Sequence, residues 1–155
     1  MIIRSRQLWL RAALILSILL YACALWAPAV TVEQQPPLRS SGAWVLLQGW
    51  RGIPLGYVEW LANPLLLLCW IAAWRSSLRL CAAFGLVTLV LMLVPCAHLV
   101  FFGSRFGGHR LQLEPGYFLW VACDLCMLGA AGCGLPAERK LQILGYRGRA
   151  RQESR

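Results

Sequence analysis

Among the polar side chains within or at the rim of otherwise apolar stretches of this sequence, Glu59, Asn63, His98 and Asp124 are the ones singled out for chemistry. An ionised group in hydrocarbon costs roughly 2.5 to 3.5 kcal/mol on insertion scales, so each is expected to face other helices and each is a candidate for function. Glu59 and Asn63 are four positions apart and would share one face of an α-helix. Asp124 is expected roughly 12 Å from the outer end of its helix at 1.5 Å per residue, and His98 about one turn from the outer end of its own. These depths are similar, so the four define a candidate outer-leaflet cluster for a proton, a cation or a polar ligand group, with the imidazole exchanging protons near neutral pH. The competing expectation is that Glu59 and His98 reach lipid headgroups while Asp124 is hydrogen-bonded packing.

A second constellation is Cys123 and Cys126, a C-x-x-C pair beside Asp124. In a soluble thioredoxin-like setting that spacing signals redox chemistry, which runs through the thiolate. Hydrocarbon disfavours the thiolate, so packing is the stronger expectation. Cys23, Cys69, Cys81, Cys96 and Cys133 also fall in apolar segments, and the total is odd. A secreted disulfide framework would use an even number placed in polar loops. No zinc-ligand spacing, phosphate loop or nucleophile elbow occurs, and neither a catalytic residue, a metal nor a cofactor is assigned.

The elements that must position these residues follow from composition. Of the 155 residues, 59% are hydrophobic and only 14% charged, more apolar surface than a small soluble domain would bury. Four stretches approach the roughly 20 residues needed to cross about 30 Å of hydrocarbon: Leu8 to Ala29, Tyr57 to Trp74, Leu80 to Phe102, and Gly116 to Leu135. The second is the shortest and contains Pro64, tolerable in a first helical turn. The expected fold is therefore all-α, an integral membrane four-helix bundle over residues 1–136 followed by a basic cytoplasmic tail over 137–155. The short stretch between Trp74 and Leu80 implies an antiparallel hairpin.

Basic residues near helix ends stay cytoplasmic during insertion. Arg4, Arg6, Arg11, Arg75, Arg79 and the tail lie on one side, against Arg39, Arg51, Arg105 and Arg110 on the other. This places both termini in the cytoplasm and points to a bacterial inner membrane. The first segment also looks like a secretory signal, with small residues at Ala22, Ala24, Ala27 and Ala29; an uncut anchor is the favoured expectation.

The outer loop from Val30 to Gly56 turns apolar over Ala43 to Trp50, and Trp44 and Trp50 are expected to anchor that half at the lipid interface. The loop from Gly103 to Pro115 reads as glycine-bounded and solvated. Along the fourth helix Ala122, Cys126, Ala130 and Gly134 recur every four residues, a small-residue stripe that permits close helix approach; Gly129 and Gly132 add a second glycine-rich face. In the tail, Arg139, Lys140, Arg147, Arg149 and Arg151 suit anionic lipid rather than nucleic acid.

The sequence thus leads to a non-catalytic membrane accessory protein that assembles with another membrane component or with itself. Two alternatives remain: a small transporter or ligand- and proton-binding protein built on the polar cluster, and a membrane thiol oxidoreductase.

Overall fold

The structure, a computed structural model, describes residues 2–33, 38–55, 57–102, 105–106 and 109–153, with side chains described over 7–32, 38–54, 57–97 and 112–134. The protein is mostly helical: α1 (Ile2–Trp26), α2 (Gly42–Gln48), α3 (Ala62–Trp74), α4 (Leu78–Phe102) and α5 (Pro115–Glu153). Three helices are long and apolar enough to cross a membrane, over Gln7–Trp26, Leu78–Ala97 and Pro115–Gly134. A fourth apolar segment, Val58–Trp74, is shorter; it begins as a 3₁₀ turn, Val58–Leu61, before α3.

Helix ends have local causes. α1 stops at Trp26, short of the expected Ala29, because a residue preceding proline is pushed out of helical geometry and Pro28 follows Ala27. α3 ends in a two-bond cap: the Ser77 N–H donates to the Ala72 carbonyl and the Ser76 N–H to that of Ala73. The chain then reverses into α4. Pro95 lies inside α4 and removes one ladder hydrogen bond. In the turn it loosens, the Tyr117 hydroxyl of α5 donates to the Met92 carbonyl. The backbone of α5 continues past the expected domain boundary at residue 136 to Glu153.

The connections after α1 and before α5 are not plain loops, and the all-α expectation needs correcting. β1 (Pro28–Glu33), β2 (Leu38–Ser41), β3 (Arg105–Phe106) and β4 (His109–Leu113) form one antiparallel sheet in the order β2-β1-β4-β3. The central pairing sets Val30 against Leu113 and Thr31 against Gln112. Backbone groups leaving a helix end must find partners, and the β-branched run Val30–Thr31–Val32 is well suited to a strand. The sheet ties the connection after α1 to the one before α5. Thr31 Oγ1 donates to Glu114 Oε1 at 2.8 Å, and the Glu114 N–H to the Ala29 carbonyl at 3.0 Å.

Two buried clusters hold the helices together. One contains Leu10, Leu14, Cys69, Leu78, Cys81 and Met127; the other contains Ala62, Leu66, Met92 and Cys123. Outside them the pattern of a water-soluble protein is inverted. Leu16, Leu19, Leu67, Ile71, Leu86, Val90, Leu93, Phe118 and Leu125 are exposed around the helices, an apolar belt that fits a lipid solvent.

Candidate functional site

The polar side chain least reconciled with its surroundings is Asp124. It is 0% exposed on α5, and neither carboxyl oxygen has a hydrogen-bond partner. It faces α4 at Gly85, where an added methyl would stand 3.5 Å from Oδ1. Thr88 lies one turn further along that face of α4, also 0% exposed and with its hydroxyl unpaired. Because helix side chains lean toward their own N-terminus, Thr88 leans back toward the level of Gly85. A buried polar group without a partner costs on the order of 1 to 3 kcal/mol, so three unpaired oxygens on facing helices make this the candidate site.

Asn63 is placed differently. It accepts a hydrogen bond from the Tyr21 hydroxyl of α1 at 3.0 Å and donates to the Trp60 carbonyl at 3.1 Å. It therefore turns toward α1 while Asp124 turns toward α4, and no hydrogen bond joins them. Glu59 is half-buried, with Oε2 unpaired. It stands in the 3₁₀ turn, whose three residues per turn rotate it away from the face expected of an uninterrupted α-helix. The His98 side chain lies outside the described residues, as do those of Arg139, Lys140, Arg147, Arg149 and Arg151. Of the four-residue cluster, Asn63 and Asp124 are both buried, each beside different neighbours.

A hub absent from the sequence reading lies beside this site. Ser17 of α1 donates to the Cys123 carbonyl at 2.8 Å and accepts from Trp70 Nε1 at 2.9 Å, while Tyr21 meets the Trp70 ring edge-on at 5.4 Å. One small hydroxyl thus links α1, α3 and α5. The available signal was a serine interrupting the apolar run of the first span.

The thiols also sort differently from their spacing. Cys123 is buried and donates to the Trp120 carbonyl at 2.8 Å, and Cys126 is half-buried. The thiols in mutual contact are Cys69 and Cys81, 3.4 Å apart across the α3–α4 hairpin. Among the described residues, no three His, Cys, Asp or Glu side chains are grouped to hold a metal.

Of the expected interface residues, Trp44 and Trp50 are exposed, Ala122 and Cys126 are half-buried, Ala130 packs on the core and Gly134 is buried. The every-fourth-residue stripe therefore leans into the protein. Among the described side chains of α5, the small residues pointing outward are Gly129, Gly132 and Cys133, and a methyl added at either glycine would meet nothing within 4 Å.

Searches against protein-family models, curated proteins and solved structures return no match for this chain, so its site is defined by geometry alone.

Proposed function

We propose that the protein is a non-catalytic membrane accessory protein that assembles, through the outer face of α5, with another membrane component or a second copy of itself. The observation that carries this reading is the pair Gly129 and Gly132. Glycine inside a helix costs about 1 kcal/mol relative to alanine, and the packing of the described residues requires neither. Small residues on a lipid-facing helix let another backbone approach closely, and close packing drives helix association in membranes.

The same reading takes the chain as a four-span bundle with cytoplasmic termini in a bacterial inner membrane. Its support is the basic-residue asymmetry and the length of the shortest segment. Thirteen α-helical residues rise about 20 Å, and the four of the 3₁₀ turn add about 8 Å, close to the hydrocarbon thickness.

Exposed Cys133 follows directly on Gly132 and serves as a native reporter. Oxidative cross-linking in membranes should give a discrete adduct through Cys133 that disappears in Cys133→Ser and in Gly129→Ile/Gly132→Ile. A monodisperse monomer in mild detergent, with no cross-link at Cys133, would overturn the proposal.

The unpaired oxygens of Asp124 and Thr88 favour a second reading, a small transporter or ligand- or proton-binding membrane protein that passes a proton or cation. Its test is proton or cation flux into vesicles containing the reconstituted full chain. Flux lost in Asp124→Asn would support it; vesicles no leakier than protein-free ones would end it.

A further inference from the structure

The short helix α2 is fixed at both ends to the helical body. At its start, Ser41 caps it by accepting from the Trp44 N–H at 3.3 Å, and the Gly42 N–H donates to the Ala27 carbonyl at 3.1 Å. The backbone is so close that a methyl at Gly42 would stand 2.2 Å from the Ala24 carbonyl oxygen. At its far end the Leu46 carbonyl accepts from Trp60 Nε1 at 2.8 Å, and a methyl at Gly49 would stand 2.6 Å from the Trp60 ring. One end therefore rests on the last turn of α1 and the other on the 3₁₀ turn that leads into α3.

Seven residues of α-helix span about 10 Å, close to the 8 to 10 Å between axes of packed helices. A rod of that length pinned on two neighbouring helix ends must run across the end of the helices, not along them. Trp44, Leu47 and Trp50, 54%, 68% and 52% exposed, recur every third residue along it and into the turn that follows. The Arg51 guanidinium lies over the Trp50 ring, 5.7 Å from its centroid. Arg51 is exposed, and among the described residues no carboxylate pairs with it.

We propose that Trp50 and Arg51, held at the rim of the apolar belt by this crosswise helix, form a binding site for the headgroup phosphate of an anionic phospholipid. The indole settles at the boundary between acyl chains and headgroups. Stacking on it holds the guanidinium flat, with its N–H fork free to grip two phosphate oxygens. Trp44 and Leu47 set the depth by entering the hydrocarbon. The occupant is a lipid because the exposed side chains leading to Arg51 are apolar, and the 3₁₀ turn on which the far end of α2 rests exposes Val58 and Leu61 as well. This rests on the membrane reading and not on assembly through α5.

The test uses the full chain in nanodiscs of phosphatidylcholine containing a minor fraction of phosphatidylglycerol. The phosphatidylglycerol retained per chain is counted by native mass spectrometry after mild detergent release. Arg51→Gln and Trp50→Ala should each lower retention about fivefold, the effect of one basic residue at an anionic surface. Trp50→Phe, which keeps an aromatic face, should retain more than Trp50→Ala, and Arg75→Gln at the opposite helix ends should match the wild type. Helical circular dichroism checks that the variants are folded, and excess inorganic phosphate should not displace the lipid. Equal retention in Arg51→Gln and wild type, or displacement by inorganic phosphate, would overturn the proposal. Failure of every variant to enter nanodiscs would count against the membrane reading itself.

Discussion

Cys69 on α3 and Cys81 on α4 place their sulfurs 3.4 Å apart, with the Cys69 thiol also 3.3 Å from the Cys81 carbonyl. Both side chains are fully buried. The contact is made possible by the tight reversal at Arg75–Ser77, which returns the chain on itself within one turn. It sets the relative height of the two helices.

Maleimide should therefore distinguish the cysteines by position. Exposed Cys23 and Cys133, each within a turn or two of a span end, should label in the folded protein, while Cys69, Cys81 and Cys123 should label only after denaturation. Mass mapping of the modified peptides checks this. Prompt labelling of Cys69 or Cys81 would show that the α3–α4 packing is wrong.

Ser17 should matter more than its size suggests. Ser17→Ala removes the acceptor of Trp70 Nε1 and the donor to the Cys123 carbonyl. The expected loss is about 1 to 2 kcal/mol, because a half-buried indole N–H is left without a partner. Trp70→Phe removes that donor but also packing, so the informative quantity is the coupling in the double variant. Unfolding in mixed micelles should give a positive coupling of roughly 0.6 kcal/mol, the usual size for hydrogen bonds between membrane helices; zero coupling would argue against the bond.

Ser76 has φ 57°, the left-handed region, as the residue that ends the α3 cap. This position is normally glycine, since a side chain there costs roughly 1 kcal/mol. Ser76→Gly should stabilise the protein by about that amount, and Ser76→Val should destabilise it by more. Thermal unfolding in one detergent reads both; identical midpoints for the three proteins would contradict the turn geometry.

Asp124→Asn keeps the shape of the side chain and removes the possibility of charge. With neither carboxyl oxygen hydrogen-bonded, the substitution should leave stability unchanged or raise it by about 1 kcal/mol. Loss of more than that in mixed-micelle unfolding would mean the carboxyl is structural, bonded to a partner. An unchanged or stabilised variant is what a residue retained for binding would give.

The helices were legible because hydrocarbon-length apolar runs leave little choice of structure: a chain in lipid must satisfy its backbone internally, and a helix does so within one segment. Leu80 to Phe102 was placed within two residues of α4 at its start. The sheet was missed because strands β1 and β4 are separated by about half of the chain. Neither Val30–Thr31–Val32 nor His109–Leu113 announces its partner, and the glycines and prolines around them read equally well as loops. Likewise, the every-fourth-residue stripe on α5 was visible as a pattern, but which side of the helix faces inward was not, since greasy and small residues surround it all round.

What the sequence determined by itself is the set of apolar helices: composition and run length select segments long and apolar enough to cross a membrane, because both depend on the local chain alone. What only the tertiary structure decided is company. It set Asn63 against Tyr21 and Asp124 against Gly85. It joined Ser17 to Trp70 and Cys69 to Cys81, and laid α2 across two helix ends. Those outcomes depend on helix rotation and height, which are set by packing between segments remote in sequence, where a shift of one residue turns a side chain by about 100°.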